Sequence, residues 1–96
     1  MTTYTNENNN LKSVEDDGSF IYYSYEYLLA QKERIQQQRI KNEAADYLSV
    51  VDASITDAAE RLSAGIAIKA KILAFHDAEI IKINSLILQA NNLNIR

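Results

Sequence analysis

The sequence predicts an all-α protein: a long, coiled-coil-like helical hairpin that completes its core with a partner or with copies of itself. Three observations carry that expectation. Between Ser19 and Ser63 there is neither Gly nor Pro, and the composition turns to Ala, Leu, Ile, Glu, Gln, Lys and Arg, mostly good helix formers. Ala44, Leu48, Val51, Ile55, Ala58 and Leu62 recur at intervals of three and four, which lines one face of a helix. Ile66, Leu73, Ile80 and Ile87 then recur every seven residues, with Ile83 and Ala90 at the alternate seam positions. A three-helix bundle with a turn near Asn42 is the alternative architecture.

Taken in chain order, residues 1–18 (MTTYTNENNNLKSVEDDG) are polar and lack apolar periodicity, so they read as a disordered tail. Residues 19–96 then form one helical domain. Its first segment, Ser19 to Leu29, concentrates Phe20, Tyr22, Tyr23, Tyr25 and Tyr27. The spacing fits two structures: Ile21, Tyr23, Tyr25 and Tyr27 alternate like a strand, whereas Ile21, Tyr25 and Leu28/Leu29 fit a helix face. These five rings are an aromatic anchor for a partner or part of the protein's own core.

The next stretch, Ala30 to Lys41, keeps only Ile35 and Ile40 as large apolar residues and reads as a helix with a narrow seam. Two local signals conflict further on. Asp57 and Glu60 have capping-box spacing, yet the apolar stripe of residues 44–62 runs straight through them. The burial of a whole face favours the continuous stripe over a cap worth roughly 1 kcal/mol. The break is placed at Ser63-Ala64-Gly65, where Gly65 can take the left-handed position that ends a helix. A second helix follows and fades at Asn91-Asn92, about 27 residues and roughly 40 Å long.

Charge patterning agrees with a hairpin. Residues 1–31 are net acidic, 32–41 basic, 42–60 acidic and 61–96 basic. Folding back near Gly65 lays the acidic block beside Arg61, Lys69, Lys71 and Lys82, which helps set register.

Composition also excludes classes of function. A net charge of −3 with no basic stripe argues against nucleic-acid binding. The cluster Lys32, Arg34, Arg39 and Lys41 is interrupted by Glu33 and flanked by acidic blocks, so it reads as a solvated helix face or as the complement of an acidic partner. No apolar run is long enough to span a bilayer, and the Thr/Asn-rich N-terminus has no secretory h-region. A cytoplasmic protein is expected, with export by a non-classical route compatible. With no Cys, thiolate chemistry is absent. Two glycines 47 residues apart build no phosphate loop.

Asp16/Asp17 lie in the polar tail, and Asp57/Glu60 sit beside Arg61; neither pair reads as an acid/base couple. His76 and Glu79 share a helix face and supply half of a metal site, whereas a site needs at least three ligands. His76 therefore reads as structural or solvated, and no metal, cofactor or catalytic centre is expected.

The expected function is non-catalytic interaction and assembly. The seam comprises Leu48, Val51, Ile55 and Leu62 on the first stripe and Ile66, Leu73, Ile80, Ile83 and Ile87 on the second. The alternative is a small helical chaperone or adaptor that shields a helical client. In general profile, a small acidic Cys-free hairpin with a polar tail resembles the small subunits and chaperones of bacterial secretion machines. The needle-type hairpin subunits carry a Pro-containing turn, and this chain has no Pro.

Overall fold

The computed structural model, which describes residues 1–96, is an α+β fold, so the all-α expectation is corrected. Strands β1 (Thr3–Glu7), β2 (Asn10–Val14) and β3 (Phe20–Tyr23) form an antiparallel sheet in the order β1-β2-β3. Helix α1 (Tyr25–Ala44) follows directly, then a short 3₁₀ turn at Leu48–Val50, then the 35-residue helix α2 (Ala58–Asn92).

The sheet arises where the sequence reads as a polar tail, because two tight turns fold it. Asn8 and Asn9 both take positive φ, 55° and 63°, the type I′ geometry that matches strand twist and that Asn tolerates. Between β2 and β3, Gly18 adopts φ 86°, and the Asp17 carboxylate accepts hydrogen bonds from the Ser19 amide and hydroxyl. A three-stranded sheet this small needs a helix to pack on. Leu11 and Ser13 of β2 are buried on its helix-facing side.

Ser24 ends β3 and caps α1, its hydroxyl accepting from the Tyr27 amide at 3.1 Å. The two helices pack antiparallel. Arg39 Nε donates to Asp77 at 2.6 Å, the Asn42 amide meets His76 at 2.7 Å, and Lys69 Nζ donates to the Glu43 carbonyl at 2.8 Å. One core cluster joins all three layers: Leu11 from the sheet, Leu28 and Ile35 from α1, and Ile83, Leu86, Ala90 and Ile95 from α2 and its C-terminal extension.

A hairpin exists, then, but its arms and its break differ from the expectation. The chain leaves helix at residues 45–57 instead of 63–65. Three aspartates explain this: Asp46 accepts from the Leu48 amide, Asp52 from Ser54 and Asp57 from Glu60, at 3.1, 2.9 and 3.0 Å. Each offers the backbone a local alternative to the helical ladder. Arg61 secures the loop by donating to the carbonyls of Leu48, Asp52 and Ile55, and Val51 is buried beneath it.

Gly65 does not terminate a helix. It lies in the second turn of α2, where an added Cβ would stand 2.8 Å from the Asp46 carbonyl oxygen, so its role is to let the loop approach closely.

At its far end α2 closes with a Schellman motif. Asn94 takes φ 59°, and the amides of Ile95 and Asn94 donate to the carbonyls of Ala90 and Asn91. The β1–β2 turn clamps this end, with the Asn6 amide donating to the Leu93 carbonyl and Asn9 bonding the Arg96 backbone.

Candidate interaction surface

The molecule is long and thinly cored. Its principal extents are 58 × 27 × 15 Å and its radius of gyration is 18.7 Å, against about 12.5 Å for a compact chain of this length. Only 10 of its 96 residues are buried, so the distribution of the uncovered apolar side chains becomes the main functional question.

The residues singled out as partner-facing separate into three groups. Val51 and Ile83 are interior, so the fold itself consumes them. Tyr23, Tyr25, Ile80 and Ile87 are half-buried and pack on the central cluster; Leu48, Ile55 and Leu73 are half-buried as well. Phe20, Tyr22, Tyr27, Leu62 and Ile66 remain exposed. The seven-residue spacing of α2 therefore serves partly to seat α1, and the 44–62 stripe is divided by the loop and is not a helix face.

Two depressions join along α2. The first, of about 480 Å³, lies between α1, α2 and the end of β3; its apolar floor is Tyr23, Tyr27, Ile35, Phe75, Ile83 and Leu86, with Gln31, Arg34, Glu79 and Lys82 around it. The second lies between the sheet and α2, lined by Tyr4, Phe20, Ile21 and Ile81 among several serines. Tyr23, Lys82 and Leu86 belong to both. Burial, with smaller contributions from Tyr27, Tyr4 and Glu15, raises the Tyr23 phenol above its ordinary range.

Phe75, which lines the first depression, is 64% exposed. Phe75 and Ile81 fall off the seven-residue seam positions of α2, and a reading without a sheet leaves them no surface to line. The strand-like alternation of Ile21 and Tyr23 is the one signal that points to this surface.

The opposite face of the sheet carries a polar–aromatic cluster. Lys12 Nζ sits 4.6 Å from the Phe20 ring centre and 5.6 Å from that of Tyr22, and Phe20 and Tyr22 meet edge to face at 5.4 Å. Lys12 pairs with Glu7 at 3.2 Å, and the Tyr22 hydroxyl donates to Glu7 at 3.0 Å. The Lys12 ammonium, then the Tyr22 hydroxyl, hold the Glu7 carboxyl below its usual range.

His76 has both ring nitrogens engaged: the Asn42 amide donates to Nε2, and Nδ1–H donates to Glu79 at 3.1 Å. In that arrangement it works as a spacer between the helices. Asp16 and Asp17 sit in the β2–β3 turn, and Asp57 serves as the α2 cap. No helix is long and apolar enough to cross a membrane.

Comparison with protein-family models, with characterised proteins and with solved structures finds no match to this chain.

Proposed function

We propose that this protein is a non-catalytic assembly module that buries its exposed apolar surface against further copies of itself. The observation that carries this reading is an area. A compact monomer of 10.9 kDa exposes roughly 5,600 Å², whereas this chain exposes 6732 Å². The excess of about 1,100 Å² exceeds the ~800 Å² that each partner contributes to a stable interface. Large side chains are prominent in the exposed surface: Phe20, Ile21, Ile66, Phe75, Ile81 and Leu88 are all more than half exposed, and Ile21 and Ile81 line one hollow.

A second reading, a small chaperone or adaptor for a helical client, draws on a different observation. The groove between α1 and α2 is apolar along its floor and charged at its rim, the pattern that receives an amphipathic helix.

Absolute mass by light scattering over a wide protein concentration range separates the two. Self-assembly predicts a mass that climbs from 10.9 kDa to a multiple of it. A mass fixed at the monomer value removes self-assembly and leaves the client-binding reading.

A further inference from the structure

We infer that the copies meet at the free edge of β3, pairing it antiparallel with β3 of a second copy about a twofold axis at Ile21, so that two three-stranded sheets become one of six strands. This rests on the self-association proposed above and specifies its surface and register. The order β1-β2-β3 leaves β3 with one side unpaired. On that side Phe20, Ile21 and Tyr22 are 54%, 57% and 45% exposed. The strand FIYY carries neither charge nor Pro, two of the devices that keep an edge from pairing. The other open edge, β1, is built mostly from Thr, Asn and Glu.

The register follows from backbone geometry. The Glu15 amide donates to the Ser19 carbonyl at 2.8 Å, and Ser13 and Leu11 stand opposite Ile21 and Tyr23. Hydrogen-bonded pairs alternate along an antiparallel ladder, so Ser19, Ile21 and Tyr23 direct their polar backbone groups toward β2. Phe20 and Tyr22 direct theirs outward.

Opposed residues in an antiparallel pair share a face, so a twofold axis must pass through a residue of β3. An axis at Tyr22 would set Phe20 opposite Ser24, whose carbonyl already accepts from Leu28 and whose hydroxyl caps Tyr27. An axis at Ile21 sets Phe20 opposite Tyr22 of the second copy, twice. Every outward backbone group of the two residues is then paired.

The side chains fit the same solution. On one face the Phe20–Tyr22 pair meets its own copy, aromatic against aromatic. On the other, Ile21 opposes Ile21, and Ile81 of α2, 70% exposed in the same hollow, is covered with it. Because like meets like on each face and no charged residue lies on either strand, the occupant is a second copy.

The absence of Cys makes cross-linking clean. At a non-hydrogen-bonded pair the two Cα atoms lie about 4.5 Å apart, within disulfide range. Mild oxidation of Ile21→Cys is expected to yield a covalent dimer, whereas Ile66→Cys, on α2 far from this edge, stays monomeric.

Tyr22→Pro removes an outward donor and spares the β2–β3 ladder; it should weaken wild-type-like dimerisation about tenfold or more while keeping the helical circular dichroism. In the unaltered chain, amide exchange at Phe20 and Tyr22 should slow as protein concentration rises, with Ile21 and Tyr23 protected throughout. Dimerisation with no concentration-dependent protection at Phe20 and Tyr22, or with cross-linking at Ile66 in place of Ile21, overturns the edge and keeps self-association. A chain that is monomeric at every concentration overturns both.

Discussion

Gly65→Ala is the substitution that most directly tests how the loop and α2 are fitted together. In an open helix interior, Ala is favoured over Gly by about 1 kcal/mol. At this site the new methyl group would lie 2.8 Å from the Asp46 carbonyl oxygen and 3.5 Å from Leu48 Cδ2, and a backbone oxygen has little room to yield. Overpacking of this kind costs roughly 1–3 kcal/mol. The loop retreats only by loosening the Arg61 bonds to Leu48, Asp52 and Ile55 and the burial of Val51.

The clash outweighs the propensity gain, for a net destabilisation of about 1 kcal/mol and a fall in Tm of about 4–8 °C for a chain of this size. Urea unfolding followed by circular dichroism measures it. Ala70→Gly, at an exposed α2 position, calibrates the propensity term and should cost about 1 kcal/mol. A Gly65→Ala protein stabilised by that same amount would refute the close approach, since only an unobstructed helical site behaves so.

Three further outcomes follow from the same structure. Leu28→Ala empties a fully buried position at the junction of sheet and helices and should cost about 2–5 kcal/mol in chemical unfolding; a loss below 1 kcal/mol would mean the core is not centred there. Asp57→Ala removes the cap that receives the Glu60 amide and should cost about 1 kcal/mol, with amide exchange accelerating first at Ala58–Glu60. Lys12 and Tyr22 lower the Glu7 carboxyl from its ordinary 4.5, so its stabilising effect is complete above that value and is lost as pH falls through the lowered one. A carboxyl NMR titration should show Glu7 returning toward the ordinary value in Lys12→Met, and an unchanged titration would dismiss Lys12 as the cause.

How much was legible varies by element. The helical reading of 19–62 and of 66 onward holds over 25–44 and over most of 58–92, and the helix end at Asn91-Asn92 is plain. The sheet is nearly invisible because its strands bury little: of β1 and β2, only Leu11 and Ser13 are interior, so no apolar alternation marks them. The turn chemistry is the readable trace, in Asn8-Asn9 and Asp17-Gly18. The partner-facing residues mix for a related reason. A heptad spacing records that a face is apolar, and it does not record whether α1, the loop, the sheet or another chain covers it; Ile83 is covered, and Ile66 is exposed.

By itself, then, the sequence determined that helix dominates the chain, that thiol chemistry is absent and that the apolar inventory is larger than so small a core can hold. Only the tertiary structure decided where the hairpin breaks. A continuous stripe at 44–62 and a run of aspartate turns over the same residues differ locally by about 1 kcal/mol, and neither wins on local terms. The contest is resolved by groups of α2: Arg61 satisfying three loop carbonyls, Gly65 yielding the space for Asp46, and Lys69 taking the Glu43 carbonyl in the last turn of α1. Those contacts exist only once α2 lies beside the loop, and a hydrophobic period records apolar faces, not the backbone carbonyls that these groups meet.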